Sequence, residues 1–549
     1  MRRFLALLGL LAGLGVAGVA GAVPALAHAE LVSADPADGQ RLARAPAAVT
    51  LRFSEPVSID TGYLRVLDAA GRRVDAGPPS HPAGDPTSVA VPLTRSADGG
   101  YIVSWRVVSA DSHPVGGAYS FAVGSGTLLT PSGADSKGAA DPAVQWVFTV
   151  TRWVGFAGLV LLGAAVFLTV CWRDGRAERR PRQLVWAGWG AVAGSTGLGL
   201  LLEGPYGAGT GLGRLLSPGL LSATLHTTYG RMLSARLVLL AVLAVLLVRL
   251  LAEPDSPPWL EDAAALAGLG ILATYAGAGH AVSGGQTPVA VFADAVHLAA
   301  MSAWLGGLVV IAACLLRRRD VLARALPAFS RVAMACVAVL ILTGTYRSWR
   351  DIGSWAALFG TPYGRIVVVK ILLLAGLVLL GNASRQWVRR VAAGHGSGTG
   401  PRVPSLAVLR KSVVAELCVA AIVLGFTAVL VAEPPARASY SRPASTTVAL
   451  TSGDRVQVTV TPATAGRNEV HVYVLGTDGR PRDAVSFEAF ARLPGTQYDR
   501  LPVALVKAGP GHWVGSAVSL PVAGHWQLEM NVRLAEFDAY AATATVEVR

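Results

Sequence analysis

The sequence predicts a mixed architecture in three parts: an exported β-sandwich, a bundle of eight transmembrane α-helices, and a second exported β-sandwich. Three observations predict it. Mean hydropathy is +0.49 with 52% hydrophobic residues over 549 positions, and the apolar residues gather in repeated runs long enough to cross a bilayer. Both ends of the chain instead alternate apolar and polar residues, punctuated by Gly, Pro and Asp, as half-buried strands do. The formal charge of +13 comes largely from arginines in short loops beside the apolar runs, where the positive-inside rule accounts for them, so no nucleic-acid partner is expected.

Met1-Arg-Arg, the apolar run Phe4 to Ala22 and the small-residue site Ala25-Leu26-Ala27 read as a cleavable secretory signal over residues 1–27. Cleavage there makes His28 the first residue of the mature chain. Residues 28–124 carry alternating runs such as Val49-Thr-Leu-Arg-Phe53 and Ser88-Val-Ala-Val-Pro-Leu93, the pattern of a β-sandwich. Tyr101 to Val107 alternates in the same way until Asp111-Ser-His113-Pro-Val-Gly-Gly117 breaks it. In extended chain Asp111 and His113 point the same way. An N-terminal histidine offers its α-amine and imidazole Nδ1 as a chelating pair, which another imidazole and a carboxylate can complete in the tetragonal N,O set that Cu(II) favours. His28, Asp111 and His113 are therefore a candidate copper site. The competing reading makes Asp111 a turn cap and His113 a surface loop residue.

The residues His28-Ala-Glu-Leu, Asp35-Pro-Ala-Asp-Gly39, Phe53-Ser-Glu-Pro56 and Trp105 through Gly117 resemble the CopC copper-binding domain, a small β-sandwich of exported copper-resistance proteins. The resemblance implies Cu(II) ligands at His28, Asp111 and His113, with Glu55 a weaker candidate. No methionine lies between His28 and the first apolar span, so the methionine-rich Cu(I) site of some relatives is not expected.

Residues 125–143 read as a flexible tether, and residues 144–432 as the membrane domain. Eight spans are expected near residues 146–171, 184–203, 232–252, 260–280, 289–315, 328–346, 366–384 and 412–432. With the first domain exported, the loops at 172–183, 316–331 and 385–411 are cytoplasmic, in keeping with their Arg and Lys excess; the acidic loop from Glu253 to Asp262 runs against that pattern. Thr227-Thr-Tyr229-Gly230-Arg231 with Arg236 recurs as Thr361-Pro-Tyr363-Gly364-Arg365 with Lys370, which suggests a duplicated four-span unit.

Asp294, His297 and Met301 share one face of the fifth span, where ionisable groups are costly and usually face a cavity or a partner. Small residues such as Gly306 and Gly307 suit close helix packing. This stretch, the two Tyr-Gly-Arg motifs and Glu416 resemble the CopD family of copper-resistance membrane proteins. A copper path would then draw on Asp294, His297, Met301, His226, His280 and Glu416. The competing reading is hydrogen-bonded packing for Asp294 and His297, core filler for Met301 and ordinary interfacial histidines for the other two; Glu203 and Glu416 could pair with Arg236 or Lys370. Cys171, Cys314, Cys336 and Cys418 all fall in or beside spans, toward the cytoplasmic half, so neither exported domain holds a disulfide. They are soft ligands suited to Cu(I), or small buried hydrophobes.

Residues 433–445 read as a linker, and residues 446–549 alternate again as a second exported sandwich. Pro462-Ala-Thr-Ala-Gly-Arg-Asn468, the Asp478-Gly-Arg-Pro turn and Gly524-His-Trp-Gln-Leu resemble YtkA-like domains. The order resembles fused copper-import proteins, and implies capture of Cu(II) outside a bacterial plasma membrane with passage inward, as Cu(I) in the membrane domain. Partners would be copper ions, the lipid bilayer, and a cytoplasmic copper acceptor or an external reductant. No nucleotide-binding loop is present, and the chain is not expected to be an enzyme. Sequestration without transport is the alternative; a copper or haem redox enzyme is a more distant one.

Overall fold

The computed structural model describes residues 29, 31–36, 38, 40–94, 97–109, 114–129, 141–252, 255–282, 286–393, 406–440, 443–496 and 498–548. Among the described residues the first domain has seven strands: β1 (Leu31–Asp35), β2 (Arg41–Leu42), β3 (Ala48–Phe53), β4 (Val57–Asp68), β5 (Ser88–Pro92), β6 (Gly99–Ser109) and β7 (Pro114–Val123). They make two sheets, ordered β1-β3-β5 and β2-β7-β6-β4. The alternation read in β3 sets its faces, with Val49, Leu51 and Phe53 buried in the core and Arg52 exposed. Phe53 meets Trp105 edge to face, 5.2 Å between centroids. A Cβ at Gly117 would lie 2.9 Å from the Trp105 ring, so the close approach of β7 to that indole requires glycine.

The bundle runs α1 (Pro142–Leu162), α2 (Ala164–Val170), α3 (Arg179–Ala208), α4 (Pro218–His226), α5 (Thr228–Ala252), α6 (Pro258–Ala276), α7 (Thr287–Val310), α8 (Arg319–Ile352), α9 (Trp355–Gly360), α10 (Pro362–Ala393), α11 (Leu406–Leu430) and the short α12 (Ala436–Ser439). By length and composition, seven helices among the described residues can cross a membrane: Pro142–Val170, which joins α1 and α2, and those in α3, α5, α7, α8, α10 and α11. The eighth expected crossing is α6, which is 19 residues long and opens on Glu261 and Asp262. Its anchors show that it still traverses the bundle. At its start Glu261 accepts from Arg176, which lies just beyond α2, at 2.7 Å. After its end the His280 carbonyl accepts from Arg350, near the end of α8, at 3.1 Å. A helix of that length spans about 28 Å, close to the hydrocarbon thickness of a bilayer. The acidic loop is thereby explained: Glu261 is the counter-ion of Arg173 and Arg176 at the same end of the bundle.

Two glycines set the packing at the centre. A Cβ on Gly163, between α1 and α2, would lie 1.8 Å from the Ser302 carbonyl oxygen, and one on Gly306 would lie 2.5 Å from the Val160 carbonyl oxygen. Only bare backbone lets α7 cross this closely. The repeated Tyr-Gly-Arg motif has one structure at both sites. Thr227 and Thr361 each accept from the amide three residues on, Gly230 and Gly364, at 3.0 Å. Each glycine abuts the short helix before it: a Cβ would come within 2.0 Å of the Thr224 carbonyl oxygen in α4 and 2.2 Å of the Leu358 carbonyl oxygen in α9. The α3-α4-α5 and α8-α9-α10 passages thus share a capped turn between a short helix and a long one.

The last domain has β8 (Ala444–Ala449), β9 (Arg455–Thr461), β10 (Gly466–Leu475), β11 (Ser486–Arg492), β12 (Leu501–Val503), β13 (Val506–Gly509), β14 (His512–Leu520), β15 (Gly524–Arg533) and β16 (Ala539–Val548). β8 begins inside the stretch read as linker. The sheets run β13-β14-β10-β9-β8 and β12-β11-β15-β16. Trp513 and Trp526 of the two Gly-His-Trp repeats are buried, so strand alternation turns the preceding His512 and His525 outward.

Candidate metal-binding sites

His28, Asp111 and His113 lie outside the described residues. β1 starts with Leu31 in register with Phe53, the last residue of β3. Glu55, half-buried, follows two residues later. The Phe53–Trp105 contact ties that edge to the second half of β6. The start of β1 and the end of β3 therefore lie beside the Trp105 indole. Ala29 is buried in the core beside these strands, which anchors the chain directly after position 28.

In the bundle, α7 and α8 form a layered polar interface. Asp294 Oδ1 lies 2.9 Å from Arg347 Nε. One turn along, His297 Nδ1 lies 2.8 Å from Thr343 Oγ1. The Thr343 hydroxyl donates its one proton to the Val339 carbonyl at 2.7 Å, so the imidazole must donate and Nδ1 carries its proton. That tautomer leaves the Nε2 lone pair for another partner, the arrangement that orients histidines toward metals. Gly344 leaves room beside the ring: a Cβ there would sit 3.8 Å from His297 Cε1. Back toward the start of α7, Tyr346 donates to Gln286 Oε1 at 3.1 Å, and Tyr363 of α10 donates to Asp351 Oδ2 at 3.0 Å.

Met301 is half-buried and packs against the bundle core, one turn beyond His297. His226 is exposed on α4, its Nδ1 2.8 Å from the Ser222 carbonyl. His280 is buried. Glu416 is buried on α11 and accepts from Ser412 at 3.4 Å. Arg236 donates to the Thr274 hydroxyl and carbonyl and sits over the Tyr275 ring, a different setting from the pairing with Glu203 weighed above. Cys336 is buried and Cys418 exposed, and among the described residues no group of three His, Cys, Asp or Glu side chains is placed to hold a metal.

Arg347 and Asp351 were missed because the sixth span was expected to end at residue 346, whereas α8 continues to Ile352; Thr343 lay inside that span with nothing to mark it without its stripe. Their spacing of four puts them on one helix face, a stripe the sequence does contain.

The chain matches the CopC domain over residues 31–124, the Copper resistance protein D-like N-terminal domain over 141–289, and Copper resistance protein D over 323–430. Copper transport protein CutJ of Bacillus subtilis (strain 168) is 28% identical over 472 residues, 83% of each chain. Copper resistance protein C of Pseudomonas syringae pv. tomato is 36% identical over 113 residues, 20% of this chain and 89% of that protein. The crystal structure of CopC from Methylosinus trichosporium OB3b, 31% identical, is matched over its full length by 19% of this chain, at a TM-score of 0.17. The chain thus carries a CopC domain fused to a CopD domain, the latter with helices long and apolar enough to cross a membrane.

Proposed function

We propose that this protein acquires copper: the first sandwich captures Cu(II) on the extracytoplasmic side of a bacterial plasma membrane, and the bundle passes copper inward, as Cu(I). His28, Asp111 and His113 are the capture ligands, with Glu55 a weaker candidate. The observation that carries the membrane step is the Thr343-held tautomer of His297, which presents a bare Nε2 within an apolar bundle. Asp294, committed to Arg347, acts beside it as a charge partner that positions the layer. Met301 supplies a thioether one turn further along, and His226, His280 and Glu416 are the outlying members of the path. The C-terminal sandwich is read as a YtkA-like accessory domain on the same side as the first. An external reductant and a cytoplasmic copper acceptor complete the route.

Uptake of radiolabelled copper into membrane vesicles of known orientation tests this reading. Accumulation that depends on the protein, and on His297, supports it. Copper held only on the vesicle surface, released by a chelator, would instead support sequestration.

A further inference from the structure

The outward face of the C-terminal domain carries a histidine pair that the copper route above does not use. β10 and β14 pair antiparallel, with Tyr473 opposite His512 and His471 opposite Val514, so His471 and His512 are diagonal neighbours on one face. His471 Nδ1 lies 3.0 Å from His512 Nε2. The ring planes differ by 15° and the centroids are 5.3 Å apart. That separation is as large as the N···N distance and the two ring radii permit, so the rings are nearly coplanar and point nose to nose. The two facing nitrogens lie on the line between the ring centroids.

The surroundings fix the protons. Glu469 Oε1 lies 3.2 Å from His471 Nε2, which favours the proton on that nitrogen and leaves Nδ1 bare. The proton between the rings then belongs to His512 Nε2. Burial and the neighbouring His471 hold the His512 imidazole below its ordinary pKa, the direction that favours a neutral, ligating ring. Tyr473 stacks on His512 at 4.3 Å and 8°, which restrains the ring. Among the described residues, no third His, Cys, Asp or Glu side chain stands close enough to complete a three-ligand group.

We propose that His471 and His512 bind one Cu(I) ion in linear two-coordination, in place of their shared proton. Two collinear imidazole lone pairs with no third ligand suit a digonal d¹⁰ ion; Zn(II) wants four ligands and Cu(II) a tetragonal set. With metal–nitrogen bonds of about 2.0 Å, the rings need to part by about 1 Å. The displaced proton moves to His512 Nδ1, so both rings remain neutral and ligating. Glu469 is a positioning residue that holds the His471 tautomer. The identity of the ion rests on the copper reading above, whereas the two-nitrogen geometry does not.

The test uses the full-length protein in lipid nanodiscs, loaded with Cu(I) under reductant against a competing chelator. Wild type should retain one more copper per chain than His471→Asn or His512→Gln, and the difference X-ray absorption spectrum should show two nitrogen neighbours in a linear site. Glu469→Gln changes an exposed side chain and should leave the fold intact while weakening that site by about 10–100-fold. Equal copper content in wild type and both histidine variants overturns the proposal, as does a difference spectrum with sulfur or four neighbours. Uptake is measured in parallel on the same purified protein reconstituted into sealed vesicles: a chain that holds the extra ion but accumulates no copper keeps this site and loses the transport reading.

Discussion

Asp294 on α7 and Arg347 on α8 form an ion pair, Oδ1 to Nε 2.9 Å, one helical turn from the contact of His297 with Thr343. The pair does two things at once. It neutralises two charges within an apolar bundle, and it fixes the register of the helix that carries His297 against the helix that sets its tautomer. Breaking such a pair by removing one partner typically costs about 3–5 kcal/mol, because the remaining charge is left uncompensated. Arg347→Met and Asp294→Asn should each lower the thermal stability of the purified protein markedly, and the double variant should recover much of the loss. Losses that simply add would show that the two charges are not coupled.

Thr343→Val removes the acceptor of the His297 proton while preserving shape. The buried imidazole N–H then lacks a partner, at a cost of about 1–3 kcal/mol, and the tautomer is no longer fixed. Copper uptake should fall while expression is retained. Thr343→Ser keeps the hydroxyl and should restore uptake; equal uptake in the Val and Ser variants removes Thr343 from the argument.

The first domain should need a processed N-terminus. The α-amine of His28 becomes a ligand only after cleavage behind Ala27, so retaining one extra residue there should cost orders of magnitude in Cu(II) affinity. Titration of the two N-termini side by side decides it, and equal affinity would falsify the chelate.

How much of this was legible in the sequence depends on the range of the interaction. Alternation in Val49 to Phe53 and in Val470 to Val474 gave strands and faces directly, because period two is a local property. Gly306 announced close packing, since a small residue in a span has few other uses. His471 and His512 carry no such mark. They are joined by the register of β10 on β14, across 41 residues of chain, and no local pattern specifies that register. Arg347 was hidden differently. A polar residue near a span end reads as the edge of the membrane, and only the partner on α7 reveals that it lies inside the bundle.

Topology follows from the end-to-end ties of α6. Glu261 with Arg173 and Arg176 marks one end of the bundle, and Arg350 with the His280 carbonyl marks the other. On the proposed orientation the first end, with its arginine excess, is the cytoplasmic one. A cysteine at the exposed Asp174 should therefore resist a membrane-impermeant thiol reagent added to intact cells, while one at the exposed Ser222 should react. The reverse pattern inverts the protein; reaction at both sites, or at neither, breaks the eight-crossing arrangement.

The sharpest test of the membrane path is Met301→Leu. His297→Ala cannot decide between ligand and packing roles, because it strands a buried hydrogen-bonding group under either account. Met301 is half-buried against the bundle core, one turn from His297 on the same face of α7. As packing, methionine and leucine are close enough in volume and polarity that the exchange should cost less than about 1.5 kcal/mol, with uptake unchanged. As a ligand, the thioether has no substitute in leucine, because soft sulfur is what holds Cu(I). The copper route predicts a normally expressed, normally stable protein whose copper accumulation falls sharply. Full accumulation in Met301→Leu takes the thioether off the path and leaves His297 with Thr343 as the sole remaining argument for a ligand on α7.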